Sequence, residues 1–222
     1  MTGSSKDKRI AFVTGTRADF GKIKSLILAA KSAEARIAVF VTGMHMQKSK
    51  GETWKEVRDF GVGDLHYFDN RLNGKRQEQV LAATMLGFGK FIDDFQPDLV
   101  VVHGDRVEAL ACSTAAALNN TIVAHIEGGE VSGTIDELLR HATTKMSHVH
   151  FVANALAKKR LVQLGELERS IFVIGSPDLD AITTGNIPTL NAVRSRYEIP
   201  FDTYAVVLFH PVTTLPNRYR TH

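Results

Sequence analysis

Two short apolar runs, 99–102 (Leu-Val-Val-Val) and 122–124 (Ile-Val-Ala), each lead straight into polar residues able to do chemistry. The first opens into His103-Gly104-Asp105-Arg106. The second opens into His125-Ile126-Glu127-Gly128-Gly129-Glu130, with Asp136 and Glu137 close behind. A continuous run rich in Val and Ile reads as a strand buried on both faces of a parallel sheet. Open parallel sheets bind ligands beyond the carboxyl ends of their strands. Two strands that release carboxylates at that edge point to an α/β fold with an acid–base site there.

The rest of the chain keeps the same rhythm of short apolar runs and longer amphipathic ones, as expected of successive βα units. Strands are predicted at 10–14, 36–42, 65–68, 99–103, 122–126, 148–152 and 171–174, with a last one at 204–209. Helices are predicted at 21–33, 77–95, 106–119, 134–146, 154–164 and 189–197. Thr134 followed by Glu137 reads as a capping box. Gly165 reads as a C-cap. The organisation expected is a polar tail over 1–8, a Rossmann-like domain over 9–180 and a crossing segment with the start of a second domain over 181–222. No apolar element follows the strand at 204–209, and a lone strand cannot bury its two faces. It packs on the first domain, is covered by another chain, or belongs to a truncated longer protein. Truncation is the favoured expectation.

Composition narrows the class. The formal charge is +3 and the pI about 9.0, with Lys and Arg scattered, so nucleic acid is not expected as a partner. No run approaches the length of a membrane span, and the polar start lacks a secretory signal's apolar core. A cytoplasmic enzyme fits. The single cysteine, Cys112, reads as a small buried apolar residue.

Thr14-Gly15-Thr16-Arg17-Ala18-Asp19-Phe20-Gly21-Lys22 follows a strand and opens a helix. Such a turn offers backbone N–H groups and a helix dipole to an anion, with Arg17 and Lys22 adding charge for a phosphate. A tight turn with solvated charges is the plainer alternative. The stretch is neither a P-loop nor GxGxxG, so neither ATP nor NAD is indicated. Asp105 taken alone could be a helix cap. Together with Glu127, Asp136 and Glu137 it forms a convergence of acids that a structural role does not justify. His148 and His150 read as hydrogen-bonded core or edge residues, and no metal-binding spacing occurs. His45 sits at another strand end and is expected to face the same cleft. Gly128 and Gly129 are expected to admit a ligand close to the backbone. Trp54 and the phenylalanines read as core.

At these residues the chain resembles the hydrolysing UDP-N-acetylglucosamine 2-epimerases of sialic-acid and related nonulosonic-acid biosynthesis. The matching pieces are GTRADFGK ending at Lys22, VTGMH ending at His45, VVHGDR ending at Arg106, AHIEGGEVSGTIDELLRHATTKMSH ending at His148, HFVAN ending at Asn154, IGSPDLD ending at Asp180 and FHPVTT ending at Thr214. The resemblance implies the glycosyltransferase-B arrangement of two Rossmann-like domains, here with the second largely missing. It implies conversion of UDP-N-acetylglucosamine and water into N-acetylmannosamine and UDP, by anti elimination to 2-acetamidoglucal and then hydration. No cofactor and no metal are implied, and the partner is a small sugar nucleotide. Asp105, Glu127 and Asp136 would be catalytic. Arg17, Lys22, His45, Arg106, His125, Gly128, Gly129, Glu130 and His210 would bind substrate. A homo-oligomer, dimer or tetramer, is expected.

Two alternatives stand beside this reading. One keeps the reaction and changes the substrate to a 2,4-diacetamido-trideoxy sugar nucleotide of the legionaminic-acid branch. The other makes the chain an inactive dimerising or binding fragment.

Overall fold

A computed structural model describes residues 8–70, 76–183 and 187–207. The chain divides into two compact units, Met1–Thr183 and Thr184–His222.

In the first unit seven strands form one sheet in the order β3-β2-β1-β4-β5-β6-β7, every pair parallel. They are β1 (Arg9–Thr14), β2 (Arg36–Val41), β3 (Asp64–Tyr67), β4 (Leu99–His103), β5 (Ile122–Ile126), β6 (Val149–Val152) and β7 (Ile171–Val173). The helices are α1 (Arg17–Ser32), α2 (Trp54–Phe60), α3 (Gln77–Phe95), α4 (Val107–Leu118), α5 (Ile135–Lys145), α6 (Ala155–Gln163) and α7 (Asp178–Thr183). The central strands read as fully apolar because both faces are covered. Ala11 and Val13 pack with Phe88, Phe91 and Cys112 of α3 and α4, while Phe12 packs with Phe20, Ile23 and Ile27 of α1 on the opposite face. This is the doubly wound, Rossmann-like architecture expected. Its strand order reverses between β1 and β4, which places a ligand crevice at the carboxyl ends of those strands. Burial pushes the Cys112 thiol well up from its ordinary value, in keeping with its place in the core. Trp54 packs against the α1-side cluster.

Several expectations need correcting. Helix α1 starts at Arg17 rather than at residue 21, because Thr16 and Asp19 form a capping box. Only half of the box expected at Thr134 exists. The Thr134 side chain caps the Asp136 N–H, while the Glu137 carboxylate accepts from the backbone of Ser132 and Gly133 at 2.8 and 2.7 Å. The short helices α2 and α7 are additions to the expected set. The strand expected at 204–209 is absent from Tyr204 to Val207, with Val206 and Val207 more than four-fifths exposed, and its last two residues lie outside the described ones. A strand needs a neighbour to pair with, and none is present for it among the described residues. In the second unit α8 (Leu190–Arg196) is capped by Thr189, and Arg194 bonds Asp202 at 2.9 Å.

Candidate active site

The carboxyl edge of β4 carries the first group of acids. Gly104 adopts φ +73°, turning the chain out of the strand, and Asp105 and Arg106 follow it into α4. Asp105 and Asp136 line one cavity of about 440 Å³, together with Arg106, Glu108, Asn70 and Leu139. That volume suits a small-molecule site. Arg140, only 8% exposed, donates through one terminal nitrogen to Asp105 and through the other to the Glu130 carbonyl at 2.9 Å. The guanidinium therefore holds the Asp105 carboxylate in a fixed orientation. Asp136 lies in the first turn of α5, exposed, and among the described residues its carboxylate accepts one hydrogen bond, from the Thr134 hydroxyl at 3.3 Å. One acid is clamped by a buried guanidinium and the other is exposed to solvent.

Glu127 belongs to a different environment. It follows β5 with φ +60°, a conformation that non-glycine residues seldom take. Its Oε2 accepts from Lys22 Nζ at 2.6 Å and lies 2.9 Å from His103 Nε2, while its Oε1 accepts from the Ser176 hydroxyl at 3.0 Å. Burial alone would raise its carboxyl, but the hydrogen bonds and charges of His103 and Lys22 outweigh burial and hold it at about 2. Lys22 is also 3.2 Å from Asp178. Burial tends to lower the Lys22 ammonium, and its two carboxylate partners reverse that and raise it. Glu127 does not line the cavity of Asp105 and Asp136.

The turn into α1 is not an open anion cradle. Asp19, 8% exposed, accepts from the N–H of Gly15 at 3.0 Å, from the N–H of Thr16 at 3.0 Å and from the Thr14 hydroxyl at 2.5 Å. The chain's own carboxylate occupies the amides expected to bind a phosphate. Arg17 remains exposed and pairs with Glu56 at 3.1 Å.

His45 and His125 have no exposed surface, so direct substrate contact is not open to them here. The ring nitrogens of His45 lie 2.9 Å from the Thr14 hydroxyl and 2.7 Å from that of Thr53. His125 lies 2.8 Å from the Gly104 carbonyl and 3.1 Å from the Thr144 hydroxyl, and ties β5 to the Gly104 turn. Burial lowers its pKa to about 3, so it stays neutral. The space beside Gly129 is already filled: at φ +80° an added Cβ would stand 2.6 Å from the Ala157 carbonyl of α6. One beside Gly128 would stand 3.0 Å from His125 Nδ1. These glycines serve internal packing rather than ligand approach. Glu130 bonds Asn154 at 3.0 Å. His210 lies outside the described residues.

Arg140, Glu108, Ser176 and Asp178 join the site without having been candidates on sequence grounds, and His103 stands out from the several strand-end histidines. Arg140 carries a signal, since it stands four residues after Asp136 on the same helix face. Ser176 and Asp178 stand in the IGSPDLD piece that carries the resemblance, but no spacing pairs them with Glu127 and Lys22, since only the return of the chain after β7 brings them there. Among the described residues no cluster of His, Cys, Asp or Glu is arranged to hold a metal ion, and no helix is long and apolar enough to cross a membrane.

Residues 28–222 match the protein family described as UDP-N-acetylglucosamine 2-epimerase. The UDP-N-acetylglucosamine 2-epimerase of Neisseria meningitidis serogroup B is 45% identical over 208 residues, 93% of this chain and 55% of that protein. The UDP-N,N'-diacetylbacillosamine 2-epimerase (hydrolyzing) of Legionella pneumophila is 36% identical over 210 residues, 92% of this chain and 56% of its own length. A crystal structure of a UDP-N-acetylglucosamine 2-epimerase superposes with a TM-score of 0.73 at 26% identity, covering 83% of this chain and 53% of the other. The chain spans about half the length of the curated relatives it matches.

Proposed function

The chain belongs to the UDP-N-acetylglucosamine 2-epimerase family, and from that premise we propose that the protein is a hydrolysing member, turning UDP-N-acetylglucosamine and water into N-acetylmannosamine and UDP. The observation that carries the reading is the cavity shared by Asp105 and Asp136. The C2–H of a sugar is weakly acidic, so cleavage of the C1–O bond runs ahead and builds positive charge on the ring. The bonding pair leaves with UDP, a carboxylate takes the C2 proton, and C1=C2 forms. Water then adds at C1 and a proton returns to C2 from the opposite face.

Asp105, oriented by Arg140, suits charge stabilisation and proton removal. Asp136, exposed and weakly bonded, suits proton exchange with solvent. Glu127 enters as an ionised group supporting hydration, not as a proton donor. Arg106 faces the departing diphosphate, with Arg17, Lys22 and His210 as further phosphate partners. The reading carries with it a cytoplasmic location, a homo-oligomer and a place in sialic or related nonulosonic acid synthesis. It assigns the catalytic carboxylates to a domain at 9–180 and the start of a nucleotide-binding domain to 181–222.

Proton NMR of the protein with UDP-N-acetylglucosamine tests the proposal. Free N-acetylmannosamine and UDP are expected, and accumulation of UDP-N-acetylmannosamine contradicts hydrolysis. The similarity to the Legionella protein supports a second reading, in which a 2,4-diacetamido-trideoxy sugar nucleotide is the better substrate. Faster turnover of that compound in the same assay would establish it.

A further inference from the structure

A glutamate in the first turn of a helix ordinarily reaches water. Glu108, the second residue of α4, is only 5% exposed. Its Oε2 accepts from Arg106 Nε at 3.2 Å, and Asn70 Nδ2 lies 3.4 Å from its Oε1. Asn70 is itself buried and bonded to the Thr84 hydroxyl at 3.0 Å. The loop after β2 makes room for the carboxylate. At Gly43, φ +61°, an added Cβ would stand 2.6 Å from Glu108 Oε1 and 2.8 Å from the Gly15 carbonyl. The loops after β1, β2 and β3 thus close around one carboxylate.

A buried carboxylate is unfavourable unless paired, and removing its partner is more so. The cationic partner of Glu108 among the described residues is Arg106, which lines the cavity with Asp105 and Asp136. Glu108 engages only the Nε edge of the guanidinium. Among the described residues the two terminal nitrogens of Arg106 have no partner. A guanidinium anchored on one edge and open on the other can grip a phosphate with two parallel hydrogen bonds.

We propose that Glu108 is a positioning residue, which holds Arg106 by its Nε edge so that both terminal nitrogens meet the diphosphate of the sugar nucleotide. The inference rests on the sugar-nucleotide reading above and adds the residue that orients its anion contact. It differs from a role for Glu108 in stabilising α4 alone, which would not depend on Arg106.

A double-mutant cycle separates the two. UDP binding is measured by calorimetry on the wild-type chain, Glu108→Gln, Arg106→Ala and the double variant, with thermal unfolding recorded for each. Loss of charge-assisted bonds predicts UDP binding weaker by about tenfold to a hundredfold in Arg106→Ala and by roughly tenfold in Glu108→Gln. In the Arg106→Ala background Glu108→Gln should weaken binding no further. If Glu108→Gln does not fold, Glu108→Asp, which keeps the charge and retracts the anchor, takes its place with the same expected pattern. UDP affinity unchanged by the Glu108 variant, or lowered by the same factor in both backgrounds, overturns the inference, as does a wild-type chain that takes up no UDP. The predicted cycle without release of N-acetylmannosamine from UDP-N-acetylglucosamine overturns the reaction reading and leaves this one standing.

Discussion

Asp105 and Asp136 share an open cavity, whereas Glu127, one strand over from Asp105, is enclosed by Lys22, His103 and Ser176. All three acids leave the same sheet edge and look equivalent in sequence. The donors around each one separate them. Among the described residues Asp105 has one buried cation behind it, Asp136 has a single hydroxyl, and Glu127 has an ammonium, an imidazole and a hydroxyl on its two oxygens. An acid's place at the edge makes it a candidate, and its neighbours decide which proton it can give or take.

The comparison can be broken at each member. The largest effect is expected on turnover, where Asp105→Asn should lower the rate by about 10²–10⁴-fold, as loss of a general acid–base group does. Retained turnover would remove Asp105 from the chemistry. Next comes acid sensitivity. The folded pKa of Glu127, about 2, lies below the ordinary 4.5, so its contribution to stability is complete above pH 4.5 and is lost as pH falls towards 2. Wild-type protein should therefore lose about 3 kcal/mol over that window that Glu127→Gln does not lose, measured by urea unfolding. At neutral pH Glu127→Gln should cost roughly 1–3 kcal/mol, because Lys22 and His103 lose a partly buried anionic partner. Smallest is Asp136→Asn, which should shift stability by under about 0.5 kcal/mol while still reducing turnover, since the exposed side chain is not part of the packing. A destabilised Asp136→Asn would place that residue with Glu127.

Much of the fold was legible in the sequence. The apolar runs of β4 and β5 are uninterrupted and end at the residues expected, Leu99–His103 and Ile122–Ile126. Helix α3 was equally plain from its apolar spacing over Gln77–Phe95. The site was legible as a set of residue types and less so as an arrangement. The turn at 14–22 offered its amides to an anion in sequence, and only the folded geometry turns the Asp19 carboxylate back onto the amides of Gly15 and Thr16. His45 and His125 sit at strand ends, where sequence position suggests access, and tertiary packing buries both. Gly129 looked like space for a ligand until α6 filled it. Ser176 reaches Glu127 across 49 positions of chain, a contact that no local pattern encodes.

The assignment of chemistry to the shared cavity is tested most directly by running the reaction in deuterium oxide and following UDP release and deuterium at C2 of the product. Wild-type protein should release UDP and give N-acetylmannosamine carrying deuterium at C2, and both Asp105→Asn and Asp136→Asn should lose UDP release and deuterium incorporation together. UDP release at the wild-type rate from either variant, or product without deuterium at C2, would contradict it.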